Sequence, residues 1–229
     1  MMSNRKPSED KRKIARILIV DDHPIVCEHL KSLIEQQKDL RVCASVPDAV
    51  QAMEAVAAQS PDLAIVDLSL RGTHGLDLLK DMASRHPWLP VLILSMHDES
   101  LFADRVLAAG ARGYITKQEA TSRIMTAIRT VLEGGIYVSD RMTARILHRT
   151  VEGDEKKSAS SLSQLTDREL QVFQSIGHGL TTRQIAKQLH IDVKTVETYR
   201  ARIKEKFHLT SATALLQYAV QWVQDSGAR

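Results

Sequence analysis

Five polar side chains follow short apolar runs in this sequence, and their chemical types suit the acceptance of a phosphoryl group. They comprise three carboxylates, a hydroxyl and an amine, at Asp21, Asp22, Asp67, Ser95 and Lys117. Carboxylates held close together repel one another, so they either bind a divalent cation or have raised pKa values. A set of oxygen ligands favours Mg²⁺, which keeps several waters and takes few protein ligands. These residue types therefore predict a magnesium site beside a carboxylate that can be esterified.

Each of these side chains has a distinct expected role. Asp67 is the candidate nucleophile, which would form an aspartyl phosphate. The Mg²⁺ held by Asp21 or Asp22, together with Asp67, would neutralise charge on the transferring group. Lys117 would pair with the phosphoryl oxygens as a point charge, and the Ser95 hydroxyl would hydrogen-bond one of them. A single acidic residue after a strand is usually structural, but five polar groups at matching strand ends favour function.

The apolar runs before these groups are nearly continuous, as in strands that are buried on both faces. The runs occupy residues 17–20, 42–46, 63–66, 91–94 and 113–115. Amphipathic segments with a helical period separate them and begin near Pro24, Pro47, Gly75, Glu99 and Gln118. This alternation predicts a doubly wound, flavodoxin-like α/β domain over residues 15–135, with a five-stranded parallel sheet. Ligands of such sheets bind beyond the C-terminal ends of the strands, which is where the five polar groups would converge.

The remainder of the chain is predicted to be a helix and linker at 136–163, followed by an all-α domain at 164–229. Residues 151–163 are polar and rich in serine, which indicates a flexible tether. Helix start signals then recur, with capping boxes beginning at Thr166 and Thr181 and candidate caps at Asp192 and Ser211. These signals predict four helices in a domain that is too small to hold an enzyme pocket easily.

The distribution of charged, aromatic and apolar residues indicates which kinds of partner the protein binds. Residues 164–229 carry nine Lys and Arg against six Asp and Glu, whereas residues 15–150 carry 15 against 17. Contact with nucleic acid is therefore expected in the C-terminal part. Aromatic residues make up 4% of the chain, which is too few for the stacking platforms that bind single strands. Because no apolar run approaches the roughly 20 residues of a membrane span and the polar N-terminus has no signal-like apolar core, we expect a cytoplasmic protein without membrane contact.

The strand-end motifs resemble the receiver domain of NarL/FixJ-type response regulators. The similar segments are DDHP at 21–24, the strand run ending at 67, LSMHDE at 94–99 and GARGYITK at 110–117. The resemblance covers about residues 15–135. It implies that Asp67 is the phosphoacceptor, that Asp21 and Asp22 form the metal site, and that Ser95 and Tyr114 act as a switch pair. In such families the hydroxyl swings toward the phosphoryl group, and the aromatic ring moves inward behind it.

Residues 166–220 resemble the LuxR-type helix-turn-helix domain. The resemblance places the helix-turn-helix proper at about 181–200, with a recognition helix from Val193 to about His208. It also implies a homodimer whose two recognition helices meet half-sites on double-stranded promoter DNA, in keeping with the weak affinity of one small, mildly basic domain.

Helix geometry alone divides the recognition helix into an inner and an outer face. At roughly 100° per residue, one face carries side chains that are expected to pack inward, namely Val196, Tyr199, Ile203 and Phe207. A helix in the major groove reads bases with its outward face and touches phosphates with its edges. The candidate base-reading residues are Glu197, Thr198 and Ala201. The residues expected to contact the sugar–phosphate backbone of the DNA are Thr182, Arg183, Lys194, Arg202 and Lys204.

Together these features favour a two-component response regulator. A sensor histidine kinase would phosphorylate Asp67, and the receiver would then release or dimerise the DNA-binding domain, without enzymatic activity beyond slow self-dephosphorylation. Two alternatives stay open. A phosphatase or phosphotransferase with an aspartyl-phosphate intermediate usually needs a carboxylate two residues after the nucleophile, where this chain has Ser69. A regulator that ignores phosphorylation is disfavoured by the intact set of strand-end groups.

Overall fold

A computed structural model of the chain describes residues 14–70, 74–152 and 161–227. The first part of the chain forms an α/β unit around a parallel sheet of five strands. The strands are β1 (Ala15–Val20), β2 (Leu40–Val46), β3 (Leu63–Asp67), β4 (Val91–Ser95) and β5 (Gly113–Thr116). Their order across the sheet is β2-β1-β3-β4-β5, so the direction of winding reverses between β1 and β3. The predicted fold is confirmed, and its switch point lies where such sheets bind their ligands.

Five helices cover the two faces of the sheet. They are α1 (Pro24–Glu35), α2 (Ala49–Gln59), α3 (Gly75–Arg85), α4 (Glu99–Ala108) and α5 (Ala120–Leu132). Three of them begin at the predicted residue, while α2 and α5 begin two residues after the predicted Pro47 and Gln118. Pro24 starts α1, where its missing N–H costs no helical hydrogen bond. Asp98 caps α4, because its side chain accepts from the N–H of Ser100.

Alternate residues of a strand enter different layers of the core, because successive side chains point to opposite faces. Ile17 belongs to the layer that contains Ile128 of α5. Its neighbour Leu18 belongs to the other layer, with Met82 of α3 and Phe102 of α4. With both faces covered by apolar side chains, the C-terminal edge of the sheet is left as the place for polar groups.

The second part of the chain forms a helical unit. Helix α6 (Asp140–Glu152) precedes it and a short 3₁₀ turn (Ser161–Gln164) opens it. Four helices follow, as predicted: α7 (Asp167–Gly177), α8 (Thr182–Gln188), α9 (Val193–Lys206) and α10 (Ala212–Gly227). The central part of the predicted tether, residues 153–160, lies outside the described residues. In the described ranges, no helix combines the length and the apolarity needed to cross a bilayer.

Side-chain caps fix the starts of most helices in this unit. Both predicted capping boxes, which begin at Thr166 and Thr181, are present. Ser211 precedes α10 as predicted, and its Oγ accepts from the N–H of Ala214 at 3.0 Å. Asp192 is the N-cap residue of α9 as predicted, but among the described residues its carboxylate accepts no capping hydrogen bond. Asp192 is exposed, so water can satisfy the first N–H groups of that helix.

Helix α7 is the helix of the helical unit that faces the α/β unit. Its residues from Glu169 to Ile176 are all buried, whereas a surface helix buries one face only. One side packs within the helical unit, where the Phe173 ring centroid lies 5.8 Å from that of Phe207 and 5.7 Å from that of Tyr218. The other side lies against the α/β unit through hydrogen bonds. The helical unit is therefore docked on the α/β unit along α7.

Candidate functional site

The predicted carboxylates lie together at the C-terminal edge of the sheet. Asp21 and Asp22 directly follow β1, and Asp67 ends β3, the adjacent strand. Together with His23, they offer ligand atoms that all lie within 4.8 Å of one another. The three aspartates are buried, whereas the side chain of His23 is 53% exposed. We call these three aspartates the carboxylate cluster.

Lys117 supplies positive charge to this cluster. It follows β5, and its Nζ lies 2.7 Å from Oδ2 of Asp67 and 2.7 Å from Oδ2 of Asp21. Burial alone would lower the pKa of Lys117, but the carboxylates of Asp67 and Asp21 raise it above its ordinary value. The ammonium group therefore stays charged at neutral pH and balances one of the three carboxylates.

The surroundings of Asp67 fix its position and raise its proton affinity. Oδ1 accepts from the backbone N–H of Ser69 at 3.1 Å. Burial raises the pKa of the Asp67 carboxyl, with a further contribution from the negative charge of Asp21, while Lys117 opposes the rise. Gly75 lies against the backbone of Asp67. A Cβ on Gly75 would be only 2.0 Å from the Asp67 carbonyl oxygen. Glycine is required there because α3 begins directly against the end of β3.

The donor set fits a hard divalent cation. Three carboxylates offer oxygen ligands, and Lys117 neutralises only part of their charge. His23 lies on the same cluster, with Nδ1 2.9 Å from Oδ1 of Asp22 and 3.0 Å from Oδ1 of Asp21. Since the His23 side chain is half exposed, it can turn into solvent, and the contacts that it then loses are those to Asp21 and Asp22.

The two residues of the predicted switch pair meet at the backbone of His97. Ser95 ends β4 and is fully buried, and its Oγ accepts from the N–H of His97 at 3.1 Å. Tyr114 of β5 is also fully buried, and its hydroxyl donates to the carbonyl oxygen of His97 at 2.8 Å. Burial raises the pKa of Tyr114, so its hydroxyl remains a donor. A movement of either side chain therefore acts on His97.

Nothing in the sequence marks a role for His97, which joins the two units in the structure. The residue is 3% exposed, and its Nδ1 lies 2.7 Å from Oε1 of Gln174 on α7. Its Nε2 lies 3.2 Å from Nε2 of Gln171, also on α7, and 3.1 Å from Oγ of Ser69. A neutral ring protonated on Nδ1 satisfies these contacts, donating to Gln174 and accepting at Nε2. Burial lowers the pKa of His97 to about 4, which keeps the ring in this neutral form at pH 7.

A charged contact lies beside these hydrogen bonds. Arg105 of α4 places Nη1 2.7 Å from Oδ1 of Asp167, the first residue of α7. Its Nη2 donates to the carbonyl oxygen of Leu162 at 3.0 Å. Lys80 of α3 lies 3.6 Å from the other oxygen of Asp167. A carboxylate at the start of α7 is also favoured by the helix dipole, so these charges help to hold α7 on the α/β unit.

The turn between α8 and α9 reaches the carboxylate cluster itself. His190 lies in this turn with a left-handed backbone, φ 52°. Its Nε2 is 2.9 Å from Oδ2 of Asp22, and the two side chains are 29% and 1% exposed. The helical unit therefore covers one of the three carboxylates of the cluster.

Helix α9 places the predicted recognition residues on two faces. Val196 and Ile203 are fully buried, while Tyr199 and Phe207 are partly buried against the same core, as helix geometry predicts. The helix ends at Lys206, two residues before the predicted end. The base-reading candidates Glu197, Thr198 and Ala201 are all exposed. Among the candidates for contact with the DNA backbone, three are exposed, namely Arg183, Lys194 and Arg202. The other two, Thr182 and Lys204, are half-buried.

Comparison with known proteins identifies both units. Residues 17–129 match the family model of the response regulator receiver domain, and residues 163–219 match that of bacterial regulatory proteins, luxR family. The oxygen regulatory protein NreC of Staphylococcus epidermidis is 33% identical over 211 residues, which cover 90% of this chain and 97% of the relative. NreC of Staphylococcus aureus is also 33% identical, over 210 residues.

Solved structures share the fold of this chain, over most of its length or over a smaller part of it. A two-component response regulator of the LuxR family from Aurantimonas sp. SI85-9A1 is 34% identical, with a TM-score of 0.56 over 61% of this chain and 99% of that chain. RcsB of Salmonella enterica serovar Typhimurium was solved bound to the promoter rprA with the phosphomimetic BeF3-. It is 23% identical and shares the fold, with a TM-score of 0.59, and the match covers 90% of this chain and 98% of that chain. The chain thus belongs to the NarL/FixJ-type response regulators, which join a receiver domain to a LuxR-type DNA-binding domain.

Proposed function

We propose that Asp67 accepts a phosphoryl group from a sensor histidine kinase and that this modification controls DNA binding by the C-terminal domain. The observation that carries the proposal is the buried carboxylate cluster, in which Nζ of Lys117 lies 2.7 Å from both Asp67 and Asp21. A carboxylate held beside a fixed positive charge is suited to attack phosphorus, because charge on the phosphoryl oxygens is neutralised as the bond forms.

The transfer joins phosphorus to a carboxylate oxygen of Asp67 as the bond between phosphorus and the kinase's imidazole nitrogen breaks. The N–H of Ser69 and the close approach of Gly75 hold the acceptor in position. Lys117 remains charged because of its carboxylate neighbours and pairs with the phosphoryl oxygens. The Ser95 hydroxyl turns from the N–H of His97 toward the phosphoryl group and donates to one of its oxygens.

We propose Mg²⁺ as the resident cation of the carboxylate cluster. Asp21, Asp22 and Asp67 would hold it, since they offer the oxygen ligands that Mg²⁺ prefers. When bound, the ion neutralises negative charge on the transferring group. His23 turns outward to make room, which its exposure permits.

The contacts of His97 provide a route from the phosphorylated site to the DNA-binding domain. Once the Ser95 hydroxyl has turned away, the N–H of His97 loses its acceptor, and the backbone of His97 is then held only at its carbonyl, to which Tyr114 already donates. The resulting shift of His97 breaks its side-chain bonds to Gln171 and Gln174. Phosphorylation thereby releases α7 and frees the DNA-binding domain.

The released domain binds double-stranded promoter DNA as a homodimer. One small, mildly basic domain makes few phosphate contacts and binds weakly, so two copies on two half-sites are needed for useful affinity. Glu197 is placed to accept from a cytosine N4 amino group, and Thr198 to pack against a thymine methyl group. Solved structures of RcsB include a complex of two dimers with two parallel DNAs, which supports this arrangement for a related fold.

The protein is proposed to act in the cytoplasm and not as an enzyme on a separate substrate. The position two residues after Asp67, where aspartyl-phosphate enzymes usually carry an acid/base carboxylate, holds Ser69. The hydroxyl of Ser69 is hydrogen-bonded to His97. Hydrolysis of the phosphorylated protein is therefore slow and limits the lifetime of its own signal.

Intact-mass measurement of the full chain tests the acceptor. The protein is incubated with MgCl₂ and acetyl phosphate, beside the variants Asp67→Asn and Asp77→Asn. Asp77 is a matched control because it is an exposed aspartate on the nearby helix α3. One phosphate adduct is expected on the wild type and on Asp77→Asn, none on Asp67→Asn, and none after chelation of Mg²⁺. An unmodified wild type, or an adduct that persists on Asp67→Asn, contradicts the proposal, and rapid multiple turnover of acetyl phosphate favours an enzyme instead.

A further inference from the structure

We infer that His190 of the DNA-binding domain competes with the divalent cation for Asp22, so that the cation alone loosens the docked domain before any phosphorylation. The inference rests on the proposed function of the receiver, because it takes Asp22 as a ligand of the cation. It adds a residue of the second domain to the surroundings of the metal site.

The competition follows from the position of the imidazole. Nε2 of His190 lies 2.9 Å from Oδ2 of Asp22, within hydrogen-bond distance. A Mg²⁺ ion bound to that oxygen would lie at about 2.0–2.1 Å and would bring several waters with it. The imidazole N–H and the hydrated ion therefore cannot both occupy the space beside this oxygen. Because the other oxygen of Asp22 faces Nδ1 of His23 at 2.9 Å, an approaching cation meets an imidazole at either oxygen.

The two imidazoles differ in what must move to displace them. His23 belongs to the receiver, and its side chain is 53% exposed, so it can turn into solvent while both domains stay in place. His190 belongs to the other domain, and its backbone is held in a tight turn. Leu189 before it is fully buried, and the N–H of Ile191 after it donates to the carbonyl of Ala186 at 3.0 Å. Displacing His190 therefore pushes on the whole turn between α8 and α9.

The charge of the cation also weakens the docking of the DNA-binding domain. In the docked state the N–H dipole of His190 points at a carboxylate cluster that Lys117 balances only in part. A doubly charged cation in the cluster cancels the field that attracts this N–H group. Thermodynamic linkage makes the effect reciprocal: the factor by which docking weakens cation binding is the factor by which the cation weakens docking.

Two asparagine variants of the full chain provide the test. His190→Asn removes the imidazole from Asp22, and asparagine tolerates the left-handed backbone of this turn. His208→Asn is the matched control, since His208 is an exposed histidine of the same domain with an almost equal φ of 53°. Calorimetry measures the Mg²⁺ affinity, and small-angle X-ray scattering measures the radius of gyration. Both use MgCl₂ without a phosphodonor, at an ionic strength held constant with KCl because salt screens the other interdomain charges.

We expect the wild type and His208→Asn to bind Mg²⁺ equally and to expand as MgCl₂ is added. His190→Asn is expected to bind Mg²⁺ on the order of 10-fold more tightly, the effect of removing a hydrogen bond to a charged group, and its radius of gyration should no longer depend on MgCl₂, because the coupling of Mg²⁺ binding to docking is lost with the imidazole. Equal Mg²⁺ affinity in all three proteins, or Mg²⁺ binding without expansion of the wild type, overturns the competition but leaves the receiver function standing. Absence of Mg²⁺ binding in all three contradicts the proposed metal site itself and therefore overturns both.

Discussion

Replacement of Gln174 by methionine is predicted to open the docked arrangement without phosphorylation. Gln174 lies on α7 and is 3% exposed, and its Oε1 accepts from Nδ1 of His97 at 2.7 Å. Methionine has a similar length and flexibility and fills the same space, but it offers no comparable acceptor. The variant therefore removes one hydrogen bond while leaving the packing of α7 nearly unchanged.

The size of the effect follows from the burial of His97. In the docked state of the variant, the N–H on Nδ1 is shielded from water and has lost its partner, which costs about 1–3 kcal/mol. In the released state the same N–H is hydrated, so no such cost arises. The docking equilibrium should therefore shift toward release by about 5- to 150-fold, since 1.4 kcal/mol corresponds to a factor of ten.

Scattering and DNA binding report this shift together. The radius of gyration of the unphosphorylated variant should exceed that of the wild type, and its affinity for a promoter fragment, measured by fluorescence anisotropy, should approach that of the phosphorylated wild type. Gln217→Met is the control, because Gln217 is an exposed glutamine of α10. A Gln174→Met variant with the radius of gyration and DNA affinity of the wild type would refute the claim that His97 and Gln174 hold the domains together.

Three further predictions address the charge and packing of the receiver. Because burial depresses the pKa of His97 from 6.5 to about 4, the docked state binds fewer protons than the released state. Docking should thus be at full strength above pH 6.5 and weaken by up to about 1.4 kcal/mol per pH unit as the pH falls toward 4. Scattering at pH 7.5 and 5 should show this, and a His97→Gln variant that keeps the whole pH dependence would contradict it. Lys117→Met leaves the carboxylate cluster without its counter-charge and should lower the free energy of unfolding by about 3–5 kcal/mol, measured by urea unfolding. MgCl₂ should restore more stability to that variant than it adds to the wild type, and equal gains would contradict the proposed cation site. Gly75→Ala places a Cβ against the Asp67 carbonyl oxygen and should lower the free energy of unfolding by about 1–3 kcal/mol and reduce phosphorylation, whereas a fully active, stable variant would show that this close approach is not required.

The fold was predictable because its signals are local. Buried parallel strands give continuous apolar runs, and three of the five receiver helices start at residues marked by a proline, a glycine or an acidic residue near the cap. The same holds for α7 and α8, whose capping boxes fix their starts. Asp192 shows the limit of such reasoning, because a residue can occupy the cap position while its exposed side chain leaves the N–H groups to water.

The convergence of the strand-end groups was also predictable, since parallel topology brings the C-terminal ends of β1, β3, β4 and β5 to one edge. The contacts between domains were not. His97 meets Gln174 across 77 positions of sequence, and His190 meets Asp22 across the linker. No periodicity or spacing within the sequence encodes such a pair, because each residue is also an ordinary member of its own local motif. A buried histidine after a strand gains a role only when the partner surface is known.

Control of DNA binding by Asp67 is measured as the DNA affinity with and without modification of this residue. The full chain is assayed on one promoter fragment before and after addition of MgCl₂ and beryllofluoride, which mimics the aspartyl phosphate, with Asp67→Asn treated in parallel. We expect the wild type to gain affinity by about 5- to 150-fold, the usual range of coupling between two sites, and Asp67→Asn to gain none. Equal affinity of the wild type before and after treatment, or an equal gain in Asp67→Asn, would contradict control of DNA binding by Asp67.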